Sequence, residues 1–226
     1  MIIVVGASSG LGVEIVQELI NYQDVILTHF SNKVNIPGVN NVSKFLDLSD
    51  TSSIDSFIKK NKRDFENISI IFCSTYSKDG LVYHYSQEDW KKTFDINING
   101  PFYLVKKLLP NMISDNFGRI ITLSSYLANN GSIGASAYSS SKSALLGFTK
   151  SLAKEYGRFN ILSNIIELGY FSEGLTNSLD PKTLSTIQKK IPTRTLGKSI
   201  EIVNAIRLLI DSNYINGSQI VINGGL

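Results

Sequence analysis

The 226-residue sequence contains very little cysteine and has no hydrophobic run long enough to cross a membrane. Cys73 is the single cysteine, so no disulfide can form within the chain, and a reduced, cytoplasmic setting is expected. A spanning helix needs about 20 consecutive apolar residues, and no run approaches that length, so no membrane partner is predicted. The opening run Met1–Val5 meets Gly6 at once and lacks a basic leader, which favours a buried strand over a signal peptide.

The chain also has little net charge, because 22 basic residues are offset by 19 acidic ones. The basic residues are scattered, whereas a nucleic-acid surface needs a clustered stripe or a binding motif, so no nucleic-acid partner is predicted. No metal site is predicted either. With 42% apolar residues and no low-complexity tract, the sequence indicates one globular domain over residues 1–226.

Apolar runs alternate with segments of helical period along the whole chain. The predicted strands are Met1–Val5, Val25–Phe30, Ser43–Leu46, Ile68–Cys73, Arg119–Leu123, Ile161–Ile166 and Gln219–Ile222. The predicted helices are Leu11–Asn21, Ile54–Lys60, Trp90–Met112, Ala137–Tyr156 and Ile200–Ile210. This alternation favours an α/β fold, a doubly wound parallel sheet of about seven strands with helices on both faces. The segment of about 168–197 lacks firm periodicity and contains Gly169, Gly174, Pro181 and Pro192, which is typical of a functional loop or lid.

A glycine-rich loop, Gly6-Ala-Ser-Ser-Gly10-Leu-Gly12, lies between the first predicted strand and the first predicted helix. Glycines at such a place permit a tight turn and close approach of the backbone to a pyrophosphate. The following helix offers free N–H groups and a positive dipole end to the phosphates. The loop therefore predicts nucleotide binding.

A tyrosine and a lysine lie four residues apart on one predicted helix, as Tyr138 and Lys142. An ammonium beside a phenol favours the phenolate, so Lys142 is expected to lower the pKa of Tyr138. Tyr103 and Lys107 have the same spacing and are interpreted as a surface turn of a long helix. Ser125 precedes Tyr138 by 13 residues and follows a predicted strand, at the carboxyl end where open α/β sheets place their ligands.

Three features together resemble the short-chain dehydrogenase/reductase family: the G-x-x-x-G-x-G loop, the spacing of Ser125, Tyr138 and Lys142, and Asn97. The chain is most similar to the 3-oxoacyl-[acyl-carrier-protein] reductase (ketoreductase) branch, as Ser77–Leu81 and the carboxyl-terminal stretch also indicate. The resemblance covers nearly the whole chain and implies a Rossmann-type sheet.

The resemblance also implies a role for each of these four catalytic residues. Tyr138 would be the general acid that protonates a carbonyl oxygen, and Ser125 would hydrogen-bond the same oxygen. Lys142 would hold the nicotinamide ribose. Asn97 would anchor a water that links Lys142 to solvent.

The cofactor contacts follow from the same resemblance, with Asp47 expected at the adenine. The predicted cofactor-binding residues are Gly6, Ser8, Ser9, Gly10, Leu11, Gly12, Thr28, Phe30, Ser31, Asp47, Leu48, Cys73, Ser74, Thr75, Tyr138, Lys142, Gly169 and Phe171. No acid follows the second strand, where one would repel a 2′-phosphate, while Ser31 and Asn32 can donate hydrogen bonds and Lys33 is cationic. NADP(H) is therefore the predicted cofactor, with NAD(H) as the alternative.

The chain departs from the family pattern at four places along the sequence. Val5 replaces a threonine, and Phe72–Thr75 replace Asn-Asn-Ala-Gly. Leu168 replaces a proline, and Glu173 replaces a threonine that contacts the nicotinamide carboxamide or phosphate region. An ionised carboxylate cannot donate a hydrogen bond and would repel a pyrophosphate, so Glu173 is expected to turn outward and leave Ser172 as the donor.

The leading function hypothesis is an NADPH-dependent carbonyl reductase acting on a 3-oxoacyl thioester or similar ketone. The alternatives are a sugar derivative, a cyclic ketone or a secondary alcohol as substrate, or a non-catalytic nucleotide-binding regulator. Apolar residues of the loop fit a lipid-like substrate or simple lid packing, and its basic residues fit an acyl carrier protein or a solvated helix face. The apolar set is Leu175, Leu179, Leu184 and Ile187, and the basic set is Lys182, Lys189, Lys190 and Arg194. The resemblance also implies a homo-oligomer, a tetramer or a dimer, through Trp90–Met112 and Ala137–Tyr156.

Overall fold

A seven-stranded sheet in which every neighbouring pair is parallel organises the computed structural model, which describes residues 1–34, 43–174, 176 and 179–226. The strands are β1 (Ile2–Val5), β2 (Val25–His29), β3 (Lys44–Phe45), β4 (Ser69–Phe72), β5 (Gly118–Ser125), β6 (Ile161–Leu168) and β7 (Gln219–Ile222). Their order across the sheet is β3-β2-β1-β4-β5-β6-β7. The chain moves outward in one direction from β1 and then in the other from β4, as in Rossmann-type folds. The predicted doubly wound α/β fold is confirmed.

Helices cover both faces of this sheet. They are α1 (Gly10–Leu19), α2 (Thr51–Asn61), α3 (Gln87–Phe94), α4 (Gly100–Asp115), α5 (Leu127–Asn130), α6 (Ser136–Tyr156), α7 (Pro181–Lys190) and α8 (Ser199–Asp211). Alternate residues of β1 point to opposite faces, so Ile2 and Val4 join a core with α1 and α8. Ile3 and Val5 join a second core with α2 and α4. Within the described ranges, no helix is long and apolar enough to cross a membrane.

The predicted helix Trp90–Met112 is divided in the structure. A wider π-helical turn, Asp95–Asn99, separates α3 from α4, and the Gly100 N–H bonds to the Asp95 carbonyl five residues back. Such turns often occur at functional sites. A side chain at Gly100 would meet Leu48, since a Cβ there would lie 2.3 Å from the Leu48 carbonyl oxygen. The turn thus fits α4 closely against the chain after β3 and buries Asn97.

Two strand ends also differ from the prediction. The strand predicted as Arg119–Leu123 continues to Ser125, which is the last residue of β5 and pairs with Leu168 of β6. The strand predicted as Ile161–Ile166 likewise extends to Leu168. Polar residues, Ser124 and Ser125 in β5 and Glu167 in β6, interrupt the apolar runs near these ends and hid them from the sequence analysis.

The segment 168–197 contains α7, which the sequence analysis left without regular structure. Asp180 begins this helix, because its carboxylate accepts hydrogen bonds from the N–H groups of Lys182 and Thr183. Pro181 follows at the first helical position, where the absence of an N–H costs nothing. The apolar residues Leu179, Leu184 and Ile187 are each half-buried, whereas Leu175 lies outside the described residues.

Candidate active site

The carboxyl ends of β1, β4 and β5 meet at the centre of the sheet, and most of the predicted site residues lie there. The chain reverses its winding between β1 and β4, which is where open α/β sheets bind ligands. Ser125 ends β5, the glycine loop follows β1, and Cys73 to Thr75 follow β4.

The glycine loop is held by the hydroxyl of Ser9. Ser9 Oγ accepts a hydrogen bond from the Gly12 N–H at 3.0 Å and donates one to the Gly6 carbonyl at 3.0 Å. Ser9 thereby caps α1, whose first turn carries no acidic residue. The exposed N-terminus of α1 combines partial positive charge with free N–H groups, which suits a pyrophosphate.

The hydroxyl of Thr28 braces the start of the same loop. Thr28 is buried, and its Oγ1 accepts a hydrogen bond from the Gly6 N–H at 3.1 Å. Its carbonyl accepts a further one from the Ala7 N–H at 3.0 Å. Thr28 thus supplies a side-chain hydrogen bond to the loop, although Val5 stands where the family has a threonine. The Thr28 hydroxyl is therefore committed to the loop, and a contact with a cofactor phosphate stays a prediction.

Gly6 and the chain after β4 approach each other too closely for a side chain. Gly6 has a φ of +79°, and a Cβ on it would lie 2.6 Å from the Ser74 backbone nitrogen. The N–H groups of Cys73 and Ser74 both bond to the Val5 carbonyl, at 2.9 and 3.0 Å. Ser74 Oγ is buried with no hydrogen-bond partner in the part of the chain that the structure describes. A narrow glycine cradle and an unpartnered hydroxyl beside it fit a dinucleotide.

The hydroxyl groups of Ser125 and Thr75 lie close enough to the Tyr138 hydroxyl to affect its pKa. Ser125 Oγ accepts a hydrogen bond from the Leu127 N–H at 3.2 Å, which orients it at the end of β5. The three hydroxyls come from α6, from β5 and from the loop after β4. Such a group can hold and protonate one carbonyl oxygen.

The pKa of Tyr138 is raised, which corrects the expectation that Lys142 lowers it. Burial of the phenol is the larger cause, and the nearby hydroxyls of Ser125 and Thr75 oppose it. Lys142 Nζ lies 5.9 Å from the centre of the Tyr138 ring and donates instead to the Leu123 carbonyl at 2.8 Å. The phenol is therefore protonated at neutral pH, as a general acid must be.

Lys142 and Cys73 are both buried, and each lies close enough to affect the pKa of the other. Burial lowers the pKa of Lys142 to about 8, and the Cys73 thiolate would oppose that shift. Burial also raises the pKa of Cys73 to about 12, against the effect of the Lys142 charge. The thiol is thus protonated and neutral at pH 7. Cys73 stands where the family has an asparagine, and it places a small neutral side chain next to Lys142.

The amide of Asn97 ties the loop after β4 to α6. Its Oδ1 accepts a hydrogen bond from the Tyr76 N–H at 2.8 Å, and its Nδ2 donates to the Tyr76 carbonyl at 2.9 Å. Nδ2 also donates to the Ser141 hydroxyl at 2.9 Å. Ser141 was missed by the sequence analysis, because nothing in the spacing of a buried serine signals this contact. The predicted role of Asn97 in holding a water stays a prediction.

The residues predicted to face the adenosine lie at the β2–β3 edge. Phe30 is exposed and its ring centre lies 6.1 Å from that of Phe45, which is also exposed. Ser31 is exposed next to it. One oxygen of the Asp47 carboxylate accepts hydrogen bonds from the N–H and hydroxyl of Ser49, at 2.8 and 2.6 Å. Leu48 is buried in the core, so only its backbone can face a cofactor.

The segment after β6 covers the glycine loop from the other side. A Cβ on Gly10 would lie 3.1 Å from the Gly174 nitrogen, so the two backbones are in contact. Gly169 is packed against Asn223, and Phe171 is buried beside Gly197. The side chain of Phe171 therefore belongs to the core, and its backbone alone is available to a cofactor.

The expected outward turn of Glu173 is wrong. Its Oε2 is buried with no hydrogen-bond partner among the residues described, while Ser172 is exposed and donates to the Gly197 carbonyl at 3.3 Å. The segment is fixed at this point by Thr176, whose hydroxyl bonds to the Phe171 carbonyl. The same hydroxyl also bonds to the Glu173 carbonyl at 3.3 Å.

Comparison with known proteins agrees with this geometry. The family model described as short chain dehydrogenase matches residues 1–183. The 3-oxoacyl-[acyl-carrier-protein] reductase of Buchnera aphidicola subsp. Baizongia pistaciae is 33% identical, over 99% of this chain and 96% of the relative. The nodulation protein G of Rhizobium sp. is 30% identical, over 99% and 95%, and the 3-oxoacyl-[acyl-carrier-protein] reductase of Haemophilus influenzae is 29% identical, over 99% and 96%. A match of this extent shows that the chain belongs to the short-chain dehydrogenase family, whose members are NAD(P)-dependent oxidoreductases.

Proposed function

We propose that the protein is an NADPH-dependent carbonyl reductase that reduces a 3-oxoacyl thioester or a similar ketone. The observation that carries the proposal is the Tyr138 hydroxyl, which lies near those of Ser125 and Thr75 at the edge of the sheet that also bears the glycine loop. The 3-oxoacyl substrate is supported by the two reductase relatives, which act on acyl groups attached to a carrier protein according to their names.

Each residue has a part in the proposed reaction. The bound reduced nicotinamide supplies the hydride. Tyr138 donates its hydroxyl proton to the carbonyl oxygen, and its raised pKa keeps that proton in place before the reaction. Ser125, already oriented by the Leu127 N–H, donates a hydrogen bond to the same oxygen as negative charge develops there. Lys142 supplies positive charge from a position one helical turn after Tyr138 on α6.

The test follows the absorbance of NADPH with purified protein and a short 3-oxoacyl thioester. Wild-type protein is expected to oxidise NADPH. The Tyr138→Phe variant is expected to lose about 10²–10⁴-fold in turnover, because the general acid is removed. The same variant should still bind NADPH in a fluorescence titration. Equal turnover by both proteins would reject Tyr138 as the acid, and binding without turnover would favour other ketones, a sugar derivative or the non-catalytic regulator.

The preference for NADPH rests on the exposed, acid-free chain after β2, where Ser31 is open to a ligand. A Ser31→Asp variant is expected to lose at least about tenfold in affinity for NADPH, because a carboxylate close to the 2′-phosphate repels it. Affinity for NADH should fall much less. Ser31→Asn is the matched control, since it has nearly the same shape without the charge. Equal losses for both nucleotides would place the phosphate elsewhere.

A homo-oligomer, a tetramer or a dimer, is part of the proposal, with a cytoplasmic location. Large apolar side chains remain exposed on two parts of the surface, which supports association. They are Trp90 and Phe102 on α3 and α4, and Leu208 and Val221 on α8 and β7. Light scattering is expected to give two or four times the mass of the 24.9 kDa chain. A mass of one chain would contradict this prediction.

A further inference from the structure

The short helix α5 begins two residues after Ser125 and depends on other parts of the protein for its position. It is a single turn, Leu127–Asn130, with no buried residue, and a helix of this length is unstable by itself. The chain just before it is fixed, because the Tyr126 N–H bonds to the Leu168 carbonyl of β6 at 2.8 Å. The N–H of Leu127 bonds in turn to Ser125 Oγ at 3.2 Å. The direction of the serine hydroxyl therefore depends on what holds the rest of α5.

Two hydrogen bonds made by side chains attach α5 to its surroundings. The Asn129 amide donates through Nδ2 to Glu167 Oε2 on β6. The Ser143 hydroxyl on α6 donates to the Ala128 carbonyl. The turn is thus held to the sheet on one side and to the long helix on the other. Asn129 is itself exposed, so its amide contributes this attachment without being part of the core.

Glu167 is a buried carboxylate that has amide groups as its partners. Its side chain belongs to a residue that is only 3% exposed, directly opposite Ser124 of β5 in the sheet. Oε2 also accepts a hydrogen bond from the Gln219 amide on β7. None of the ion pairs in the described part of the chain includes this carboxylate. A buried acid is costly unless donors surround it, so the two amides and the carboxylate hold one another in place.

We propose that Asn129 and Glu167 are positioning residues for Ser125: the carboxylate holds α5 through the Asn129 amide, and α5 holds the serine hydroxyl toward the substrate oxygen. This inference rests on the proposed function and deepens it. In that reaction, Ser125 Oγ accepts a hydrogen bond from the Leu127 N–H and donates its own proton to the carbonyl oxygen. A displaced α5 would turn that proton away, and small errors of placement lower the rate of a reaction.

The test is a double-mutant cycle between Asn129 and Ser125, with NADPH and a short 3-oxoacyl thioester. Asn129→Ala is expected to lower kcat about three- to tenfold and to leave the Kd for NADPH unchanged. In a Ser125→Ala background, the same substitution should lower kcat no further, because the hydroxyl that α5 orients is already absent. Asn204→Ala, at an exposed position on α8, is the matched control and should leave kcat unchanged.

A second pair of variants tests the carboxylate. Glu167→Met keeps the length of the side chain and removes the acceptor, so kcat should fall by about the same three- to tenfold. Combining it with Asn129→Ala should give no additional loss, because both changes break one hydrogen bond. Glu167→Gln retains an acceptor oxygen and is expected to recover most of the loss. Denaturant titration and circular dichroism check that each variant is folded.

Hydrogen–deuterium exchange of the cofactor-free protein tests the same attachment without turnover. The amides of α5, together with the Gly131 N–H that bonds to the Leu127 carbonyl, are expected to exchange at least about threefold faster in Asn129→Ala. Unchanged exchange would overturn the inference, as would an equal loss of kcat with and without the Ser125 hydroxyl. Faster exchange in a protein that reduces no thioester would support the pair and reject the proposed substrate, so the two failures are distinguishable.

Discussion

Two regions meet at the start of α1, and their buried polar groups are paired to different extents. On one side, around the glycine loop and the end of β4, Ser9, Thr28 and Asn97 all make side-chain hydrogen bonds, and the unpartnered oxygen in the described residues is the neutral hydroxyl of Ser74. On the other side, in the segment after β6, Glu173 has a buried oxygen with no partner within the described ranges. Ser172, beside it, is exposed. We call these the anchored side and the covering side.

The difference between the two sides indicates that one fixes the reaction geometry and the other opens for a ligand. Satisfied buried networks are rigid, and positions that determine a reaction geometry benefit from that rigidity. Segments that open for a ligand come from the less stable parts of a structure. Disrupting the close packing of the anchored side should therefore lower stability and affinity, whereas removing a buried charge on either side should raise stability or cofactor affinity.

The largest effect is expected from Gly6→Ala on the anchored side. The positive φ of Gly6 and the 2.6 Å approach to Ser74 both disfavour a side chain. The free energy of unfolding should fall by about 2–4 kcal/mol, measured by denaturant titration, and NADPH binding should weaken with it. Gly131→Ala is the matched control, because Gly131 has a φ of +64° and open space around it. Equal losses in the two variants would mean that backbone strain alone, and not the contact with Ser74, is decisive.

An intermediate effect of opposite sign is expected from Lys142→Met, also on the anchored side. Burial lowers the pKa of Lys142 to about 8 in the folded protein, against 10.5 for a free lysine. The free-energy cost of burying this charge is fully present below pH 8. It fades between pH 8 and 10.5, because in that range the unfolded chain binds more protons than the folded protein. Lys142→Met should therefore raise the free energy of unfolding at pH 7 by about 1–3 kcal/mol.

The same variant should lose turnover, and its stability advantage should shrink as pH rises through that window. Denaturant titrations at pH 7 and at pH 10 check both points. Lys150→Met provides the control, because Lys150 is exposed on the same helix and should show neither effect. Cys73 is present in all of these proteins. An advantage that stays constant from pH 7 to pH 10 would exclude titration of Lys142 as its cause.

The smallest effect, a gain, is expected from Glu173→Gln on the covering side. The amide keeps the shape, removes a negative charge close to the glycine loop and can donate a hydrogen bond. NADPH is expected to bind about two- to tenfold more tightly, measured by fluorescence titration. Glu155→Gln, at an exposed position on α6, should leave the affinity unchanged. Weaker binding by Glu173→Gln would show that the cofactor donates a hydrogen bond to the carboxylate.

Local sequence patterns were sufficient to predict the sheet. Buried parallel strands are continuous apolar runs, so Met1–Val5 and Gln219–Ile222 were recognised within a residue of their observed bounds. The glycine loop was equally visible, because its position between a strand and a helix limits what it can do. The helix α7 was missed because only Leu184 and Ile187 interrupt its polar sequence, although Asp180 and Pro181 form a normal helix start.

Contacts between distant residues account for the rest. Glu173 has a buried carboxylate oxygen, and the amide of Asn97 bonds to Tyr76 and to Ser141, which is 44 residues away. Neither follows from spacing along the chain. The raised pKa of Tyr138 has the same origin, because burial is a property of the assembled site and outweighs a lysine four residues away.

The buried thiol of Cys73 makes the protein convenient for spectroscopy. A protonated thiol with a pKa of about 12 reacts very slowly with maleimides at neutral pH. A cysteine introduced at an exposed site, such as Thr183 on α7, would therefore be labelled selectively in an otherwise native background. A spin label there, paired with one on the exposed face of α6, would follow the distance between α7 and the catalytic helix as cofactor is added.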